Sequence, residues 1–328
     1  MPSVSAIILF HRLQPFFAQA VESMLAQTHR DLELLLIDNG CQAPEECIGA
    51  ARHDPRLRWL RLPTHLGIAR GYAAGIAATT GEYVAILDYD DLALPDRLEK
   101  QVAALRADPA LGLVYSCAHR IDQQGRITGR EFALCDSAAH TIYSRYTLPA
   151  PNPSCTGRRQ VFEQFPFRPA LEAACDYDLH ARAVEHWQSR ALPEVLLHYR
   201  QHPHQVSHLR EWQQRADGAL ARLLTARRRA GRAEDSPGAL AHLGSWATTA
   251  PPLPELYAHY ARWSLAERFP YLAVYHARKL LSVQRSPRTL ALALATLGAA
   301  LRQSPREAAF LLRLFFTGPL RAHGLRPA

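Results

Sequence analysis

Residues 81–102 read GEYVAILDYDDLALPDRLEKQV, and their reading decides the fold. Gly81 opens an apolar run, VAIL, which ends in three carboxylates within four positions: Asp88, Asp90 and Asp91. The run predicts a buried strand over 81–88. PDRLEKQVAALRAD (95–108) predicts a helix with Pro95 in its first turn, where a missing N–H costs nothing. A strand, an acidic tip and a helix in succession form one half of a βαβ unit. Like charges this close repel, so the acids are either a solvated turn that caps the helix or a site built around a cation.

The flanking chain repeats the alternation. SAIILF (5–10) and LELLLID (32–38) are apolar strands, continuous as in a parallel sheet covered on both faces. Between them, residues 14–28 place Phe17, Ala20, Val21, Met24 and Leu25 at helical spacing. Residues 57–62 predict a strand, 68–79 a small-residue helix and 112–122 another strand. The expected fold is therefore α/β, with a mostly parallel, Rossmann-like sheet flanked by helices. In such sheets ligands lie beyond the carboxyl ends of the strands. Asp38-Asn39-Gly40 and the 88–91 acids both fall there. Residues 125–170, rich in proline, are expected to be irregular with one edge strand beside a pocket. A helix is expected over 171–190, a short strand over 196–199 and a His-rich loop over 200–208. Beyond 210 the pattern changes to Ala/Leu/Arg helices broken at 236–238 and 250–254. This gives two domains, 1–209 and a basic helical region, 210–328.

Composition narrows the function. The 328 residues are 48% hydrophobic and 21% charged, as in globular chains. No apolar run reaches the ~18 residues that a membrane span needs. The N-terminus lacks the basic start and cleavage site of a signal peptide. Six scattered cysteines without a CxxC pair argue against a disulfide framework or a zinc site and fit a reducing cytoplasm. The net charge of +8 is uneven: residues 1–209 carry 20 Lys+Arg against 23 Asp+Glu, and residues 210–328 carry 18 against 7. The basic back implies an anionic partner. No nucleic-acid-binding module appears and aromatic interleaving is sparse, so nucleic acid is not expected. A solvated helical domain and an amphipathic surface for anionic membranes remain equal readings of 210–232 and 287–317.

Acids two residues apart at a strand end suit Mg²⁺ or Mn²⁺, which prefer oxygen ligands and keep positions open for phosphate. Five stretches then resemble, in order, the family 2 glycosyltransferases of GT-A fold: SVSAIILFHR, AVESMLAQTHRDLELLLIDNG, GEYVAILDYDDLALPDRLEKQV, ACDYDLHAR and YRQHPHQVS. They span roughly 3–208. The resemblance implies an inverting, metal-dependent transferase using a nucleotide-diphospho-sugar, UDP-linked, with a glycan or lipid-linked acceptor of the bacterial cell envelope. It implies Asp88, Asp90 and Asp91 as the metal site, with Asp88 also facing the donor. Phe10, Asp38, Asn39 and Arg70 fall where the family contacts the donor, and Arg200 and His202 where its loop closes over the diphosphate. Asp176 falls at the general base, with Cys175 in place of the usual Glu. Asp178 and Arg182 are spaced as a helical ion pair. His204 and His208 are expected to face solvent. The implied setting is the cytoplasm, or the inner face of its membrane as a peripheral protein. Asn39, Cys175 and a missing Arg-Asn pair after Gly67 depart from the family. They leave open an inactive glycan- or membrane-binding relative, and a nucleotidyltransferase is the other alternative.

Overall fold

A computed structural model describes residues 3–131, 133–205, 209–234 and 252–319. The chain forms two compact units: Met1–Ser144 with Leu148–Leu209, and Arg145–Thr147 with Arg210–Ala328.

The first unit is built on one sheet. Strands β1 (Val4–Phe10), β2 (Leu32–Asn39), β3 (Leu57–Leu62) and β4 (Tyr83–Asp88) pair in parallel in the order β3-β2-β1-β4. Every residue of β1 and β2 is buried. The reason is a helix layer on each face. Side chains alternate along a strand, so Ile8, Phe10, Leu34 and Leu36 enter one core with Phe17 and Met24 of α1 (Phe17–Leu25) and with Leu98 and Val102 of α3 (Arg97–Ala107). Ile7, Leu9, Leu35 and Ile37 enter the other core, with Tyr72 and Ile76 of α2 (Ile68–Ala78). Gly75 lets α2 approach this closely: a Cβ there would meet Ile37 Cδ1 at 2.1 Å.

The sheet continues as β4-β8-β6-β9-β5, and its second half is mixed. β8 (Thr156–Arg158) runs antiparallel between β4 and β6 (Leu111–Ile121), so the 125–170 segment supplies an internal strand besides the edge strand expected there. β7 (Ile127–Glu131) joins β6 as a hairpin. Residues 125–170 also hold α4 (Ser137–Tyr143) and α5 (Arg159–Gln164), more order than their prolines suggest. The helix expected over 171–190 is only α6 (Cys175–Ala183), after a 3-10 segment at Pro169–Ala174. The chain from Gln188 is claimed instead by β9 (Gln188–Arg200), which pairs in parallel with β6. β5 (Leu92–Ala93) pairs antiparallel with β9. α3 starts at Arg97, with Pro95 just before its N-cap Asp96.

In the second unit, α7 (Glu211–Arg229), α8 (Leu253–Ala266), α9 (Pro270–Val283), α10 (Pro287–Gln303) and α11 (Ala308–Thr317) surround a core of Val274, Ala277, Ala293, Leu297, Ala300 and Leu314. Ser286 and Thr289 close a capping box at the start of α10. Among the described residues, no helix is long and apolar enough to cross a membrane. The break expected at 236–238 and His208 lie outside the described residues.

Candidate active site

The parallel register brings the carboxyl ends of three strands level. Leu9 stands beside Asp88, and Phe10 beside Asp38. After β4 the chain turns at once, with the Asp91 amide donating to the Asp88 carbonyl at 3.2 Å. One ligand atom from each of Asp88, Asp90 and Asp91 can be chosen so that all lie within 4.8 Å of one another. The β5–β9 pairing brings the segment after β9 onto the same turn. As a result His202 Nε2 lies 2.7 Å from Asp90 Oδ2, while its Nδ1 is buried without a partner.

Burial of so much negative charge is visible in the carboxyl groups. Burial first, then the charges of Asp90 and Asp176, pushes the Asp88 pKa up to about 7. Burial, with Asp90 and Asp88 adding to it, raises Asp91 as well. Asp91 Oδ2 is buried with no hydrogen-bond partner. The opposing positive charge comes from Arg97, fully buried on α3. Its Nε donates to Gln101 Oε1 (3.1 Å) and its Nη2 to the carbonyls of Ile86 (2.7 Å) and Cys155 (3.0 Å). Its Nη1 is buried and unpaired. Burial lowers its pKa to about 10, so it stays cationic at neutral pH and attracts Asp88 and Asp91. Arg200 adds a second guanidinium acting on Asp90 and Asp91, and the two do not offset the carboxylates, as Asp88 and Asp91 stay raised. A divalent cation would supply the missing charge, and oxygen-rich donors with one imidazole fit Mn²⁺ or Mg²⁺.

Asp176 enters the same corner from the first turn of α6. Its Oδ1 accepts the Tyr177 amide at 2.7 Å, and burial raises its pKa. Its charge acts on both Asp88 and Tyr72. The Tyr72 hydroxyl donates to Asp88 Oδ1 at 3.3 Å, and its ring stacks on Phe167 at 5.0 Å. Glu172, just before α6, reaches across to accept the amides of Ile68 and Ala69 (3.2 Å for the latter). It thereby caps α2, whose own N-cap Gly67 has no side chain to do so. Cys175 is buried in the core. Asp178 is a structural anchor: it takes two bonds from Arg182, at 2.9 and 2.7 Å, and pairs with Arg168 at 3.6 Å.

Four candidates have their side chains engaged within the domain. Phe10 is buried between Phe17 and Trp59. Asp38 accepts the amides of Cys41, Gln42 and Ala43 and a bond from Arg61, holding the loop in which Gln42 has φ of 57°. Asn39 uses both ends of its amide, donating to the Gly67 carbonyl (2.9 Å) and accepting from the Leu66 amide (2.8 Å). Arg200 is buried over Phe16 and donates to the carbonyls of Asp90, Asp122 and Gln123 and to Gln19. Its amide also bonds Asp91 Oδ1 at 2.8 Å, so it clamps the acidic turn from behind. All four sit at strand ends; Phe10 is packed in the core, and the polar side-chain atoms of the other three bond within the protein. Arg70 is exposed on α2, and His204 is exposed. Arg97, Tyr72 and Glu172 escaped the sequence reading because their roles come from burial. The one available signal was a cationic residue opening the helix after an acidic turn.

Residues 5–165 match the family model described as glycosyl transferase family 2. The chain carries a family 2 glycosyltransferase domain. A glycosyltransferase of Methanocaldococcus jannaschii, itself uncharacterized, is 24% identical over 208 residues, 61% of this chain and 71% of that protein. The succinoglycan biosynthesis protein ExoO of Rhizobium meliloti is 29% identical over 150 residues, 46% of this chain and 42% of that protein. The chain thus spans less than half of the second relative's length. Among solved structures, S. aureus TarS 1-349 in complex with UDP superposes with a TM-score of 0.57 at 13% identity, covering 98% of this chain and 86% of that one. The mannosyltransferase PcManGT from Pyrobaculum calidifontis, with GDP-Man and Mn2+, gives 0.51 at 18% identity, covering 97% and 87%. This family 2 domain therefore has the GT-A fold.

Proposed function

We propose that the protein is an inverting, metal-dependent glycosyltransferase that moves a sugar from a nucleotide-diphospho-sugar, UDP-linked, to a hydroxyl of a cell-surface glycan or lipid-linked acceptor. The observation that carries the reading is the meeting of two acidic groups from opposite ends of the domain. The strand-end carboxylates and Asp176 share one corner, close enough for Asp176 to perturb Asp88. A donor site and an acceptor base have to share one corner in this way. Two proteins of the same fold hold UDP, and GDP-Man with Mn2+, which supports a nucleotide-sugar donor.

Asp88, Asp90 and Asp91, with His202, would hold Mn²⁺ or Mg²⁺. When bound, the cation supplies Lewis-acid stabilisation of the leaving diphosphate. Asp176, its basicity raised by burial, takes the proton from the acceptor hydroxyl. The acceptor oxygen then bonds to the anomeric carbon from the face opposite the phosphate. The C–O bond to the phosphate breaks, and its electron pair leaves with the nucleoside diphosphate. Tyr72 and Arg97 hold Asp88 and Asp91 in place. The proposed setting is the cytoplasm or the inner face of its membrane, in cell-envelope glycan assembly.

The test is Mn²⁺-dependent release of UDP from UDP-sugars, with Asp176→Asn alongside. The variant should fold and keep its Mn²⁺-dependent gain in melting temperature. Its turnover should fall ~10²–10⁴-fold. Full turnover in Asp176→Asn would remove that residue from the chemistry.

A further inference from the structure

The second unit contains an open bowl of about 650 Å³ that no part of the transfer chemistry uses. Four guanidinium groups line it: Arg145, Arg229 at the end of α7, Arg306 of the 3-10 turn Pro305–Glu307, and Arg313 of α11. Among the described lining residues, Glu307 is the one carboxylate. Tyr271 contributes an aromatic wall. Beneath it Tyr146, 1% exposed, anchors the bowl in the core of the unit. Arg145 and Arg229 lie close enough to both phenols to act on them, opposing the upward push that burial gives their pKa values.

Among the described residues, Arg145, Arg306 and Arg313 make no ion pair, whereas arginines of α7 and just after it do. Arg215 pairs with Glu211, Arg227 and Arg232 with Glu267, and Arg228 with Glu234. Much of the basic face expected over 210–232 is thus matched within the unit, and Arg222 is buried. At the bowl, four arginines face one glutamate. The four arginines are exposed, and a concavity of one sign concentrates anions from solution. The planar guanidinium fork matches phosphate oxygens in pairs. A volume of about 650 Å³ is that of a small-molecule pocket and exceeds what a bare ion fills.

We propose that this bowl binds a phosphomonoester or diphosphate group, with Tyr271 against the moiety that carries it. The site lies in the other unit from the candidate active site and does not rest on the transfer reaction. Two sources share this chemistry: a lipid headgroup and a soluble phosphorylated compound. The lipid source is worth testing because Leu312 and Phe316, which flank Arg313 on α11, are 39% and 66% exposed.

The test is calorimetric titration of the full chain with inorganic pyrophosphate in EDTA, where the metal-free carboxylates of the first unit repel the probe. Wild type should show saturable binding. Arg306→Glu/Arg313→Glu should weaken it by about tenfold or more, because charge-assisted bonds are lost. Arg285→Glu/Arg288→Glu makes the same change in net charge at exposed positions outside the bowl and should leave affinity unchanged. Arg306→Gln, a milder change, should act in the same direction and serves if the double variant does not fold. Flotation with phosphatidylcholine vesicles, with and without phosphatidic acid, then separates the sources. Arg306/Arg313-dependent binding to the acidic vesicles assigns a headgroup; pyrophosphate binding without flotation assigns a soluble ligand. Absent saturable binding, or equal weakening by both double variants, overturns the site.

Discussion

Neutralising Asp88 should stabilise the metal-free protein at neutral pH and remove its response to manganese. The Asp88 pKa stands at about 7, against an ordinary value of 3.8. At about 1.4 kcal/mol per pH unit, its ionisation costs the metal-free fold about 4 kcal/mol. The sign follows from linkage. A carboxyl raised in the folded state carries no penalty below its unfolded pKa, a growing one as pH rises from about 4, and the full one above about 7. Metal-free wild type should therefore lose stability between pH 5 and pH 8. Asp88→Asn keeps an oxygen for the Tyr72 hydroxyl and should flatten that slope. Its gain at pH 8 should be about 2–4 kcal/mol, since Asp90 and Asp91 share the relief, or on the order of 10 °C in melting temperature. Urea unfolding and thermal melts in EDTA at the two pH values measure it. Manganese at about a hundredfold over its Kd should then stabilise wild type by about 2.7 kcal/mol and the variant far less. A wild type equally stable at both pH values in EDTA, with Asp88→Asn no firmer at pH 8, would refute the reasoning. The corner would then carry no excess charge for a cation to relieve.

Arg97→Met should cost the metal-free protein about 3–5 kcal/mol, because buried carboxylates lose their internal partner; urea unfolding in EDTA measures it, and a neutral outcome would show that Arg97 compensates nothing. Asn39→Asp replaces the amide that donates to the Gly67 carbonyl with a second acceptor. It should destabilise by about 1–3 kcal/mol with nucleotide affinity unchanged; tighter nucleotide binding at unchanged stability would return Asn39 to the donor site. His140, buried against the Leu134 carbonyl and Ser189, is pushed down to about 4. Because the fold prefers its neutral form, stability is intact above about 6.5 and falls by about 3 kcal/mol as pH drops to 4. His140→Gln should lower the midpoint of acid unfolding relative to its stability at pH 7, and circular dichroism along a pH titration reads this.

The parallel half of the sheet was legible because its signal is local. LELLLID and VAIL are continuous apolar runs, and the five apolar positions of α1 fall at helical spacing; all five are buried. In the second half only β6 and the end of β9 were legible. β9 was visible only at 196–199, because QSRALPE reads as polar chain and becomes a strand only through its partner β6, some 75 residues earlier. β8 is three residues long and has no pattern to detect. In the site, the acidic tip declared itself by charge and position. For Phe10, Asp38 and Asn39, position at a strand end does not say which way the side chain turns. Asp38 turns back to hold 41–43, and Asn39 sideways to 66–67. Arg97 could not be foreseen, since a helix-opening arginine ordinarily reaches water.

The contact between Glu172 and the first amides of α2 has a consequence for how anions are received. A helix start is a ready perch for phosphate. Here a carboxylate from a hundred residues downstream already occupies that perch. A diphosphate arriving nearby finds the perch taken, and must look for positive charge at the strand tips. By plugging its own helix, the domain leaves an incoming phosphate no seat at those two amides.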